Sequence, residues 1–289
     1  MTTPATSATA RTRDGRTLHY VSTGEGRPTV VFESGMGASR SAWGGVVPVV
    51  AERARCVAYD RAGLGRSPAA TGDRRLANLV ADLVDLLEHL DDGPYLLVGH
   101  SWGGPILRQL TAARPELVAG LVLVDQTDER CDLYFDKTAI RQQRWAAKSL
   151  PFLARTRLLR LQVSATTKRL PPEVRAASLA EDTTLAAARG MQAEFGGLEA
   201  DLQGLLADPP DLGERPVTWI SGTKVGRVGG KIRRALVAAH QASAAAHPGG
   251  RHVEATRSGH LVPMTEPELV AAEVLRLVEQ LDGVGGAAS

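Results

Sequence analysis

Four short apolar runs in the first half of the chain each break off in Gly, Ser or Asp: TVVFES (29–34), RCVAYD (55–60), PYLLVG (94–99) and AGLVLVD (119–125). A run that is apolar throughout, with no polar alternation, is suited to burial on both faces, as inside a parallel sheet. Parallel neighbours need long crossovers, and the intervening segments supply them. In LANLVADLVDLLEHL (76–90) the apolar positions 76, 79, 80, 83, 86, 87 and 90 recur at helical spacing, with acids on the other face. GGPILRQLTAARPELV leads toward the next strand in the same way. The rhythm predicts an α/β fold, a mostly parallel sheet with right-handed crossovers and flanking helices.

Upstream, TLHYVSTG (17–24) reads as a strand paired across Asp14-Gly15 with the residues before it. After Asp125 the rhythm breaks. Residues 126–210 are helical in pattern, with no convincing strand, and end in the Pro-rich ADPPDLGERP. PVTWISG (216–222) then reads as a strand, KIRRALVAAHQASAAA as a helix, RHVEATRSG as a last strand and PELVAAEVLRLVEQL as a closing helix. The division predicted is one core from residues 1–125 and 211–289, interrupted by a helical cap at 126–210. The small, polar first ten residues and last six are expected to be disordered.

The third apolar run continues into GHSWGG (99–104), a Gly-x-Ser-x-Gly at a strand-to-helix junction. That is the pattern of a nucleophile elbow. Gly99 and Gly103 stand where a Cβ would clash, and Ser101 is held at a helix N-terminus, where backbone N–H groups favour developing negative charge. Ser101 is therefore the candidate nucleophile. Its hydroxyl needs a base at neutral pH. His19 lies in an early strand, His89 on a helix, and His240, His247 and His252 on or beside a surface helix, and all five read as solvated or hydrogen-bonded structural residues. His100 neighbours the serine but points away from its hydroxyl in so tight a turn. His260, in Ser258-Gly259-His260, follows the last strand and precedes Pro263 and a helix, at the C-terminal end of the sheet, where α/β proteins place their chemistry. His260 is the candidate base.

GHSWGG, the terminal SGH, YDRAGLGRS (59–67) and ESGMG (33–37) together resemble the α/β-hydrolase fold family over nearly the whole chain. The resemblance implies a cofactor-free serine hydrolase of the esterase type, cleaving a carboxylic ester or lactone of a small to medium, largely apolar molecule through an acyl-enzyme. In the family, the loop after the earlier strand usually carries His-Gly and supplies an oxyanion-hole N–H. Here Ser34-Gly35 stands in that place, so the implied donors are the N–H groups of Met36 and of Trp102, the residue after the nucleophile. The side chains of both are expected at an apolar substrate wall. Glu33 could pair with Arg61 to hold the loop, or the two could form a plain surface ion pair. Asp60 and Arg61 are expected to join two loops.

The family's usual acid position follows the strand PVTWISG, but no Asp or Glu occurs between Glu214 and Glu254. Some members, certain haloalkane dehalogenases and lactonases among them, carry the acid at the end of the strand before the cap. By that resemblance Asp125 is the acid that orients His260. Asp128, another residue, or a dyad with no acid remain alternatives. An Asp in the elbow would have pointed to a dehalogenase or epoxide hydrolase, and Ser101 argues against both.

Composition narrows the field further. A net charge of +2 does not suit a general nucleic-acid binder, and there is no P-loop, dinucleotide fingerprint or metal-spaced cluster. No cofactor or metal is expected, and the partner is a small-molecule substrate. Cys56 and Cys131 make no disulfide framework, and nothing resembles a signal peptide or a membrane-inserting run. A cytoplasmic location is the simplest expectation. Residues 126–180 carry eleven Lys and Arg against five acids, with Trp145, Leu150, Phe152, Leu153, Leu158, Leu159 and Leu161 as a candidate apolar face. That is an amphipathic lid, or one whose basic side attracts anionic or amphiphilic molecules or a membrane surface. Because the fold also hosts other chemistries, a lyase or cofactor-free oxygenase using Ser and His, and a silent small-molecule binder, stay open.

Overall fold

The computed structural model describes residues 5–69, 72–168, 170–226 and 229–285. Its centre is an eight-stranded sheet in the order β1-β2-β4-β3-β5-β6-β7-β8. The strands are β1 (Thr6–Arg11), β2 (Thr17–Thr23), β3 (Val30–Glu33), β4 (Cys56–Tyr59), β5 (Tyr95–His100), β6 (Val118–Val124), β7 (Val217–Gly222) and β8 (Gly250–Ala255). β1 and β2 form an antiparallel hairpin at one edge, and β2 joins β4 antiparallel. From β4 to β8 every pairing is parallel. The chain therefore has the α/β-hydrolase fold.

The helices are α1 (Val47–Val50), α2 (Leu76–Leu90), α3 (Gly103–Ala113), α4 (Lys137–Arg155), α5 (Leu158–Thr166), α6 (Pro172–Glu181), α7 (Leu185–Ala207), α8 (Gly230–Ala246), α9 (Val262–Thr265) and α10 (Pro267–Gly285). Two apolar clusters sandwich the sheet, because each inner strand sends alternate side chains to opposite faces. Val31, Leu97 and Leu121 pack with Leu79, Leu83 and Leu86 of α2 and Ile106 of α3. Val30, Phe32, Val98, Val122 and Ile220 pack with Val270, Val274 and Leu277 of α10. Complete burial of so many aliphatic side chains, each worth roughly 1.5–3 kcal/mol, fixes the strand ends on which the candidate site stands.

Three expectations need correction. The start of the chain is not disordered from residue 5 onward: Thr6–Arg11 pairs residue for residue with Thr17–Ser22. Residues 1–4 and 286–289 lie outside the described residues, and α10 runs on to Gly285. His240, expected on a surface helix, is fully buried and hydrogen-bonded between Ser221 and the Gln126 carbonyl. The apolar set between residues 145 and 161 is not one face. Leu150 and Leu159 are buried with Ala147 and Ala188, whereas Trp145, Phe152, Leu158 and Leu161 are exposed.

Candidate active site

Ser101 sits between β5 and α3 at φ +52°, a left-handed conformation that a non-glycine residue adopts only when its surroundings impose it. Its N–H donates to the Val124 carbonyl at 3.1 Å and its own carbonyl accepts from Thr127 N–H at 2.9 Å, tying the turn to the end of β6. Gly103 permits that tightness: a Cβ there would lie 2.6 Å from the Glu33 carbonyl oxygen.

On one side of the serine lie His260 and Asp125. His260 Nδ1–H donates to Asp125 Oδ2 at 2.7 Å, which leaves Nε2 as the ring's acceptor. Asp125 is fully buried, also at positive φ, and its other oxygen accepts from Gly222 N–H at 2.9 Å and from Arg233 of α8. Burial pushes this carboxyl up, but the hydrogen bond and charge of His260, together with Arg233, outweigh it and hold the pKa at about 2. Asp125 is thus an anion throughout the neutral range. Asp128 is buried too, but its oxygens accept from Gln126, Ser243 and Arg130 N–H, and none of its bonds reaches His260. The His260 loop is clamped by Glu266, which accepts from Ser258 Oγ at 2.6 Å and from Arg257 N–H at 2.9 Å. Among the described residues no hydrogen bond links Ser101 Oγ to His260. Such bonds are commonly long before substrate binds and tighten afterwards.

On the other side lies the loop after β3. Gly35 packs on the elbow so closely that a Cβ would lie 3.2 Å from that of Ser101. The N–H groups of Met36 and Trp102 donate to nothing among the described residues, while Gly37 N–H donates to Glu194 Oε2 at 3.1 Å and Ala38 N–H to the Gly35 carbonyl at 3.2 Å. The side chains of these two residues differ. Met36 is half-buried, whereas the Trp102 indole is buried within the core cluster and presents no open wall.

Arg61 holds this loop from beneath. It donates to the carbonyls of Ser34 (2.6 Å) and Gly35 (2.8 Å), pairs with Glu33, and grips Glu194 through Nε and Nη2, each at 2.8 Å. All three ionic groups are buried, so the Glu33–Arg61 pair is not a surface bridge. Burial raises the Glu33 carboxyl, which also accepts from Tyr59 Oη. Glu194 is lowered despite its burial, because Arg61 and Arg74 both face it. Asp60 does join loops: it accepts from Arg40 N–H (2.9 Å), Arg66 N–H (3.2 Å) and His19 Nδ1.

A profile of the α/β hydrolase fold matches residues 28–169, the stretch that carries β3, the elbow and Asp125. The chain belongs to the α/β-hydrolase fold family. A haloalkane dehalogenase of Mesorhizobium japonicum is 37% identical over 109 residues, which are 38% of this chain and 35% of that protein. Lipase LipV of Mycobacterium tuberculosis is 50% identical over 68 residues, 24% of this chain and 26% of the lipase. The chain thus spans about a third of the length of the first relative and about a quarter of the second. The solved structure of epoxide hydrolase CorEH is similar to 96% of this chain and 100% of its own, with a TM-score of 0.75 at 20% identity, a likeness of fold.

Within this α/β-hydrolase frame, the contacts that three residues make at the site carried no sequence signal. Arg233 is one of several arginines on a helix, and only the β6–β7 pairing brings it to Asp125. Glu194 lies on α7, far along the chain from the loop it binds. His100, set aside for pointing away from the serine, donates Nε2–H to the His260 carbonyl at 2.8 Å.

Proposed function

We propose that this chain is a cofactor-free serine hydrolase that cleaves a carboxylic ester or lactone. The observation that carries the reading is the His260 imidazole, its Nδ1–H held by a buried, ionised Asp125. That bond selects the tautomer in which Nε2 is a base and stabilises the imidazolium formed when it takes a proton.

In this reading Ser101 Oγ attacks the carbonyl carbon as its proton passes to His260 Nε2. The N–H groups of Met36 and Trp102, otherwise unengaged, receive the oxyanion. Collapse of the tetrahedral species breaks the C–O bond, and His260 returns its proton to the departing oxygen. Water repeats the attack on the acyl group and gives its proton to Nε2; His260 then passes that proton to the departing Ser101 Oγ, which frees the acid and restores the hydroxyl. Residues 126–210 act as the cap: α7 sets Met191 against Gly37 and Glu194 on its N–H, and α6 sends Glu181 to Arg40. Of the two curated relatives, the reading follows the lipase and departs from the dehalogenase, since a hydroxyl occupies the elbow.

Intact mass after exposure to a fluorophosphonate tests this, on the wild type and on Ser101→Ala. A single adduct absent from the variant supports an activated serine. No adduct on folded protein sinks the hydrolase reading in favour of a silent binder. Burst release of alcohol from an ester separates hydrolase from lyase or oxygenase.

A further inference from the structure

The helices between β6 and β7 bury one side of α4 and leave the other without a partner. Inward, Ala147 and Leu150 pack with Leu159 of α5 and Ala188 of α7, flanked by Leu153, Met191 and Phe195. Outward, Trp145 is 74% exposed and Phe152 62%, and on α5 Leu158 is 48% and Leu161 68% exposed. These are four of the seven exposed large hydrophobic side chains among the described residues, and both of the aromatic ones, so the concentration is local.

Charge is arranged around them. Trp145 and Phe152 lie seven residues apart and so share one stripe of the helix. Arg141 and Lys148 bracket Trp145 at minus four and plus three; Lys148 and Arg155 bracket Phe152 in the same way. Lys137 stands one turn before Arg141. Among the described residues, none of Lys137, Arg141, Lys148 and Arg155 has an ion-pair partner. The acid at the margin, Glu199, is held by Arg144 at 2.6 Å, and Asp136 caps the helix through Ala139 N–H.

We propose that the outer face of α4 and the first turns of α5 form a docking surface for an anionic lipid bilayer. Each feature has a counterpart there. Exposed Trp and Phe side chains enter the interfacial region, the two leucines extend the apolar contact, and cations one turn away meet lipid phosphates and carboxylates. A second copy of the same face would set like charges against each other, which disfavours self-association through it. Attachment is peripheral, since no helix among the described residues is long and apolar enough to cross a membrane. The inference stands apart from the hydrolase reading, because no residue of the candidate site takes part.

The chain carries its own reporter. Of its four tryptophans, Trp43, Trp102 and Trp219 are buried, so a change of emission on binding reports Trp145. The full chain would be titrated with vesicles of phosphatidylcholine alone and of phosphatidylcholine mixed with phosphatidylserine, following sedimentation and emission. The expected result is binding to the anionic vesicles with a blue shift, weakened roughly tenfold or more in high salt. Trp145→Ser loses the shift, and Phe152→Ser or the pair Arg141→Gln and Lys148→Gln weakens binding by about tenfold or more. All four substitutions are at exposed positions, and far-UV circular dichroism checks that each variant is folded. Absence of binding, equal binding to neutral vesicles, or a dimer dispersed by Trp145→Ser would each overturn the proposal, the last in favour of a contact between copies.

Discussion

The two flanks of Ser101 are built differently. The His260–Asp125 flank belongs to the sheet: Asp125 closes β6, Gly222 closes β7, and the His260 loop follows β8, with Arg233 of α8 behind them. The loop of Met36 depends on the inserted helices, because Glu194 of α7 receives both Gly37 N–H and the Arg61 guanidinium. The proposed base is therefore anchored on the strand ends of the sheet, and the proposed oxyanion donor is coupled to the helices between β6 and β7. A shift of α7 would move the loop of Met36 and leave the His260–Asp125 pair in place.

The largest effect is expected on the sheet flank. Asp125→Asn keeps the shape but lets the side chain donate to Nδ1, which favours the wrong tautomer. In kcat, measured on an ester that the wild type turns over, the loss should be about 10³–10⁴-fold. Asp128→Asn, away from His260, should stay near wild type. Equal losses in the two variants, or activity retained in Asp125→Asn, would break the assignment of the acid.

These two flanks were not equally legible in the sequence. Ser101 and His260 stand out because the roles proposed for them demand local patterns, a Gly-flanked turn after an apolar run and a loop after the last strand. The pairing of Asp125 with His260 was readable by resemblance, helped by the empty stretch between Glu214 and Glu254. The inner strands were readable because burial on both faces leaves short, mostly apolar runs without polar alternation. Glu194 and Arg233 were not, since a buried charge is specified by its partner in space, and a Glu or Arg on a helix looks the same in sequence whether it is paired inside or solvated outside. The split of residues 145–161 into inward and outward apolar side chains was illegible for a related reason. Amphipathic periodicity shows that a face exists and not how much of it is covered.

A smaller loss is expected on the flank of the inserted helices. Glu194→Gln keeps an acceptor for Gly37 N–H but removes the charge that fixes Arg61, and with it the carbonyls of Ser34 and Gly35. Losing a single oxyanion donor outright costs about 10²–10³-fold in kcat, so loosening one should cost about tenfold to a hundredfold. KM should change little, because the donor acts on charge that develops after binding. Circular dichroism and a thermal melt establish that the variant is folded, since breaking a buried pair is destabilising. A loss as large as that of Asp125→Asn would erase the contrast between the flanks, and a change in KM alone would recast Glu194 as a residue of substrate binding.

The smallest effect concerns His100, which touches both flanks. It donates to the His260 carbonyl, and its Nδ1 lies 3.0 Å from where a Gly35 Cβ would stand. Burial pushes its pKa down, the charge of His260 acts in the same direction, and the result is about 3. The unfolded chain, with an ordinary histidine near pH 6.5, takes up a proton between pH 6.5 and pH 3 that the folded state refuses. Folding stability should therefore fall as the pH drops through that window, with a slope from this residue of roughly 1 kcal/mol per pH unit, and be unaffected by it above pH 7. His100→Gln, which retains an N–H donor for the His260 carbonyl, removes the titration. Urea melts from pH 7 down to pH 4 should show a shallower loss of stability in the variant than in the wild type. Parallel curves would mean that His100 accepts a proton while folded, and that the bond it makes to the His260 loop gives way in mild acid.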